Sequence, residues 1–179
     1  LHNGDQVVVK VQKPAIRKKI EADISILKWL AALVEKYSLN IRNYQPARVV
    51  VQFSRAMMRE LDFEHERRNL EEFAYRFRHS SKVVFPKTYV DYSSSKVLTM
   101  QYLEGIAANQ IDALQLQEYD LKAIALQGAE VFLEMIFRDR FYHADPHPGN
   151  IMILPDGKIG ILDCGLTGRL DEKTSEEIE

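Results

Sequence analysis

Cys164 is the only cysteine in the chain, so no disulfide can form within it, which fits a reducing compartment. Charge of one sign is also missing. A net charge of −2 gives no electrostatic footprint for nucleic acid, so no nucleic-acid partner is expected. No apolar run approaches the ~18 residues that span a bilayer, and no signal peptide, internal repeat or low-complexity segment is visible. What remains is the balance of a soluble globular protein, 46% hydrophobic and 28% charged. At 179 residues it suffices for one domain or for two small lobes sharing a cleft. Both ends read as cut: LHNGDQVVVKVQKP enters the middle of a sheet, and DEKTSEEIE stops inside a helix.

Along the chain, Asn3-Gly4 is a turn signal and the β-branched run VVVKVQ after it is a strand. Pro14 suits the first turn of a helix, and Ile20, Ile24, Leu27, Leu30 and Leu33 recur at helical spacing towards Tyr37. The stretch from Pro46 to Phe77 contains no internal proline or glycine and predicts one long helix. Two short strands, near 82–85 and 96–102, read as a hairpin-like pair. Leu121 to Arg138 predicts a largely apolar, buried helix. The loop HADPHPGN, the strand IMIL, a turn at 155–158 and the strand KIGILD close the described pattern. Strands and helices in this order predict an α+β fold, with a cleft near Tyr102–Gly105.

The loop HADPHPGN at 143–150 concentrates the chemistry. A metal-dependent hydrolase, a phosphoryl-transfer enzyme and an ordinary polar loop all compete for it. Pro146 and Pro148 push the residues before them towards extended backbone, so Asp145 and Asn150 are stiffly placed. Folding back at 155–158 brings Asp163 to the end of the hairpin where Asn150 lies. An amide oxygen and a carboxylate there make a hard-oxygen site suited to Mg²⁺, or Mn²⁺, with phosphate oxygens completing the shell. Asp145 just outside can take a proton from an attacking hydroxyl.

Asp145, Asn150 five residues on, and Asp163 opening DCG match the protein-kinase catalytic loop and metal-binding DFG motif. With VVVKVQKP, ELDFEHERRN, HADPHPGN and ILDCGLTGRL in order, nearly the whole chain resembles the UbiB family of atypical kinases, also called ABC1 or ADCK proteins. The resemblance implies a protein-kinase-like two-lobe fold, with residues 1–103 a partial N-lobe and 104–179 a truncated C-lobe. It implies Lys10 on the α- and β-phosphates of ATP, Glu66 paired with Lys10, and Glu60 and Asp62 as the family's ExD element. Asp145 falls on the catalytic aspartate, and Asn150 and Asp163 on the metal ligands. Met100, Gln101, Tyr102 and Leu103 fall where adenine is held by backbone. His143 is expected to pack under the loop and bond backbone, and His147 is a further candidate facing the transferred phosphate.

The same resemblance implies ATP hydrolysis or phosphoryl transfer supporting ubiquinone biosynthesis. Quinone-pathway lipids or biosynthetic proteins at a membrane would then be the partners, on its cytoplasmic or matrix side. Three departures stand out. Ala144 replaces the arginine that clamps a phosphorylated activation loop, and Cys164 replaces the phenylalanine of DFG. The chain also contains no glycine-rich phosphate loop; the family's alanine-rich loop and KxGQ extension belong before Leu1. Two rival readings are a small-molecule phosphotransferase of the aminoglycoside or choline kinase type, and a nucleotide-binding scaffold without catalysis.

Overall fold

Four β-branched valines and one lysine, VVVKV, form the first strand, β1 (Val7–Val11), which pairs antiparallel with β3 (Val97–Gln101) and sets Lys10 opposite the fully buried Leu98. The computed structural model describes residues 1–2, 4–37, 43–171 and 174. Between those two strands run α1 (Ile16–Tyr37), α2 (Pro46–Glu60), α3 (Phe63–Arg76) and the short β2 (Val83–Val84). After β3 come β4 (Ile106–Ala107), α4 (Ile111–Leu116) and α5 (Leu121–Leu133), which continues as a π-helical turn, Glu134–Arg138. Four three-residue strands end the described chain: β5 (Phe141–His143), β6 (Ile151–Ile153), β7 (Ile159–Ile161) and β8 (Thr167–Arg169).

The α+β expectation holds, with corrections in detail. The single helix expected from Pro46 to Phe77 is two, broken at Leu61-Asp62. Asp62 takes an extended backbone, and its carboxylate accepts the Glu64 N–H at 3.1 Å, so it caps α3 instead of continuing α2. Strands 82–85 and 96–102 are not partners of one another. β2 pairs parallel with β7 in a sheet ordered β2-β7-β6-β4, whereas the far edge of β3 is met by residues 87–89. Pro14 precedes α1 instead of entering it. The apolar α5 and its extension bury only Val131 and Met135, leaving Leu126, Leu133 and Phe137 in solvent, because a single layer of neighbours covers one helix face. Gly4 adopts the left-handed turn conformation; Asn3 and the helix expected at 171–179 lie outside the described residues, save Asp171 and Thr174.

The core gathers around α3. Phe73 is fully buried, with the Phe141 ring at 4.4 Å and the Phe85 ring at 5.1 Å. Leu70, Leu98, Met135, Ile153, Ile161 and Cys164 join this cluster, so one helix ties β3 to the β6–β7 hairpin.

Candidate active site

Strand alternation puts Lys10 on the face of β1 that looks towards α3. Its ammonium lies 2.9 Å from both carboxylate oxygens of Glu66 and 2.8 Å from Asp163 Oδ2, with the Phe63 ring 5.3 Å beneath it. Three residues separated by 56 and 153 positions in sequence thus share one charge cluster. Burial pulls the Lys10 ammonium down, but the Glu66 charge and the hydrogen bonds to Asp163 and Glu66 outweigh it, and its pKa is raised. The two carboxylates split. Burial and then the Asp163 charge push Glu66 up against the pull of Lys10. For Asp163 burial also acts upward, yet hydrogen bonds from Lys10 and the Gly165 N–H carry it below the usual carboxylate range. The almost fully buried Glu66 is thus shifted up and the half-buried Asp163 down, although both face the same ammonium.

The turn at Asp163 is held from several sides. Its Oδ1 accepts the Gly165 N–H at 2.9 Å, and His143 Nε2 bonds the Asp163 carbonyl. His143 Nδ1 accepts the Asp145 N–H at 3.1 Å, which leaves the ring proton on Nε2 as the donor. One buried imidazole therefore joins the loop carrying Asp145 to the turn carrying Asp163. Burial, then the charges of Asp163 and Glu66, push the Cys164 thiol well up, so it stays neutral.

The β6–β7 hairpin does what its sequence required. Ile151 faces Ile161, and the Asn150 carbonyl accepts the Leu162 N–H at 2.9 Å, bringing Asn150 beside the start of the Asp163 turn. The side chains of Asn150 and Asp145 make no hydrogen bond to any described residue, and Asp145 is exposed. A carboxamide oxygen and one carboxylate fit an ion that keeps most of its shell as water and phosphate, as Mg²⁺ does. Among the described residues no three His, Cys, Asp or Glu side chains gather as a closed protein cage would require.

Asp62 is spent on the α3 cap, and Glu60 ends α2 in solvent, where its charge adds to the upward push on Glu66. His147 Nδ1 accepts the Gly149 N–H at 3.1 Å, folding the exposed ring onto its own loop. Met100 lies opposite Val8 in the ladder, and the amides of Gln101 and Tyr102 bond Lys87 and Gln6 carbonyls, at 2.8 and 3.0 Å. The Leu103 amide has no partner among the described residues. Two features went unread in the sequence: the direct Lys10–Asp163 contact, and Asn69, whose buried side chain donates to the Cys164 carbonyl at 2.8 Å. Asn69 closes the stretch ELDFEHERRN, three residues after Glu66, and that spacing was the available signal.

The model of the ABC1 atypical kinase-like domain matches residues 1–179. The chain is 35% identical over 176 residues to the probable protein kinase UbiB of Aliivibrio salmonicida, covering 96% of this chain and 32% of that one. It is also 35% identical over 178 residues to the chloroplastic protein ACTIVITY OF BC1 COMPLEX KINASE 7 of Arabidopsis thaliana, covering 99% of this chain and 26% of that one. A third or less of each relative's length is thus spanned. Among solved structures, the erythromycin complex of Rv3197 from Mycobacterium tuberculosis superposes with a TM-score of 0.75 at 26% identity, over 93% of this chain and 41% of that one.

Proposed function

Since the chain belongs to the ABC1 atypical kinase-like family, we propose that it performs Mg·ATP-dependent phosphoryl chemistry, either ATP hydrolysis or transfer to an acceptor, in support of ubiquinone biosynthesis. The observation that carries this reading is Lys10 held between Glu66 and Asp163, with Asn150 and Asp145 uncommitted beside them. A lysine fixed by two carboxylates presents one positive charge in a defined place, which is what phosphate oxygens of a nucleotide require. Glu66 keeps Lys10 oriented, and Asn150 and Asp163 are the residues that would hold the metal. The ion, when bound, neutralises charge developing on the transferred phosphoryl group. Asp145 orients the attacking oxygen, a water or a substrate hydroxyl, and accepts its proton. Residues 1–103 and 104–179 form the two lobes in this reading, with Leu103 offering its amide to the adenine edge at their junction. Quinone-pathway lipids at a membrane are the acceptor class it favours.

ATP turnover with Mg²⁺, measured with and without ubiquinone-like phenols, tests the proposal. Asp163→Asn is expected to abolish the melting shift produced by Mg·ATP. Asp145→Asn is expected to cut turnover by roughly 10²-fold while nucleotide still binds. An Asp163→Asn protein that Mg·ATP stabilises as well as the parent would overturn the metal assignment, and equal loss of binding and turnover in Asp145→Asn would make Asp145 structural.

A further inference from the structure

We propose that Asn69 is a positioning residue that fastens the turn 163–165 to α3 at the small, buried Cys164. Cys164 is completely buried yet small, so its side chain offers little surface by which α3 could grip the turn. The grip is supplied by a hydrogen bond. Asn69 is 6% exposed, and its Nδ2 donates to the Cys164 carbonyl across 95 residues of sequence. His143 bonds the carbonyl of the preceding residue, Asp163. Two successive peptide carbonyls are therefore capped by two buried side chains, one from α3 and one from β5. Rotating the peptide between Cys164 and Gly165 breaks the Asn69 bond, leaves a buried carbonyl unpaired and turns away the Gly165 N–H that donates to Asp163 Oδ1.

Asn69 and Glu66 stand one helical turn apart on the same face of α3. Glu66 reaches the Asp163 carboxylate through Lys10, and Asn69 reaches the backbone one residue further on. The helix thus fixes both the charge, through Lys10, and the Cys164–Gly165 peptide, whose N–H donates to Asp163 Oδ1 at 2.9 Å, and so the direction in which Asp163 points. The chemistry selects asparagine. A neutral donor is needed, because aspartate would set a carboxylate against a carbonyl, and leucine of similar size would leave that carbonyl without a partner.

The consequence for a bound metal rests on the nucleotide reading above, whereas the clamp on the turn does not, so two measurements separate them. Cys164 is the single thiol of the chain and sits at the clamped residue, so its rate of reaction with a thiol reagent under native conditions reports local opening of the turn. In Asn69→Leu, and in the smaller Asn69→Ala, that rate is expected to rise about tenfold or more above what the global stability of each variant accounts for. Phe73→Leu, buried on the same helix without touching the turn's carbonyls, serves as the control whose labelling follows global unfolding alone. Mn²⁺ binding in the presence of ATP, followed by electron paramagnetic resonance, is expected to weaken about tenfold or more in both Asn69 variants. Labelling of the Asn69 variants that follows global unfolding, as in Phe73→Leu, would overturn the clamp. Faster labelling with unchanged Mn·ATP affinity would overturn the positioning role. Faster labelling with no Mn·ATP binding by the parent chain would uphold the clamp and remove the nucleotide reading.

Discussion

α3 and the α1–α2 pair are built from neighbouring sequence and live in opposite environments. Fourteen-residue α3 buries Phe63, Glu66, Asn69, Leu70 and Phe73. The 22 residues of α1 bury only Ile24 and Ala31, and α2 buries none. Trp29 on α1 is 64% exposed, and Phe53 on α2 is 49% exposed. Every buried polar side chain of α3 has a long-range partner. By contrast, the polar side-chain contacts along α1, Arg17 with Glu21 and Ser25 with the Glu21 carbonyl, are local and exposed. The difference shows where this chain concentrates specificity. α3 is the poorest of the three in apolar residues, 5 of 14 against 13 of 22 in α1 and 8 of 15 in α2, so content does not make α3 the centre; the number of distant elements each residue must satisfy does.

The largest expected effect lies in α3. Phe73→Ala removes a ring stacked between Phe85 and Phe141 and is expected to cost about 3–5 kcal/mol in denaturant unfolding. A loss below about 1 kcal/mol would mean that α3 is no more central than its neighbours. Next comes Lys10→Met. It leaves Glu66 buried and facing Asp163 without its cation, and because Lys10 is itself partly exposed the expected loss is about 1–3 kcal/mol at neutral pH.

The pH dependence of that variant sharpens the comparison. The Lys10 charge is among the influences that lower the Glu66 pKa, so its removal raises further a value already raised by burial. An acid whose folded pKa lies above its unfolded one, about 4.3, favours the folded state below that value and loses the advantage as pH rises through the folded value. The stability gap between parent and Lys10→Met should therefore widen as pH rises above the unfolded value of about 4.3, and a gap that stays constant as pH rises would mean Glu66 keeps its charge without Lys10. The smallest effect belongs to α1. Trp29→Ala should change stability by no more than about 0.5 kcal/mol, and the indole, the only one in the chain, should be quenched freely by acrylamide in the native protein.

Much of the site was legible because its chemistry depends on side-chain type at fixed spacing. Asp145, Asn150 and Asp163 are placed by a five-residue loop and a hairpin, both local, and Lys10 and Glu66 meet at 2.9 Å. The roles proposed for these residues await the measurements above. What was hidden is long-range or written in the backbone. Asn69 bonds a carbonyl, which every residue carries, so no residue type at the far end marked the contact. β2 is two residues long and finds its partner 76 positions away, in a parallel register that local pattern does not encode. The break at Leu61-Asp62 did have a signal, an aspartate two residues before a glutamate at a helix start, but unbroken helical periodicity on both sides concealed it.

The Gln12 side chain donates to the Leu61 carbonyl at 2.6 Å, across 49 residues. The Gln12 amide bonds the Lys96 carbonyl, and the Phe63 amide bonds the Ser95 carbonyl, so the outgoing and returning strands of chain are fixed to the same spot on one hairpin. Topologically, everything between them is a side branch: the path departs and rejoins at one junction, and α3 restarts there under its own cap. Such a branch can be lengthened, shortened or exchanged at a cost that grows only with the logarithm of its length. The α1–α2 pair is thus the part of the molecule most open to remodelling, attached beside a frame of β1, α3 and β3 that is joined without it.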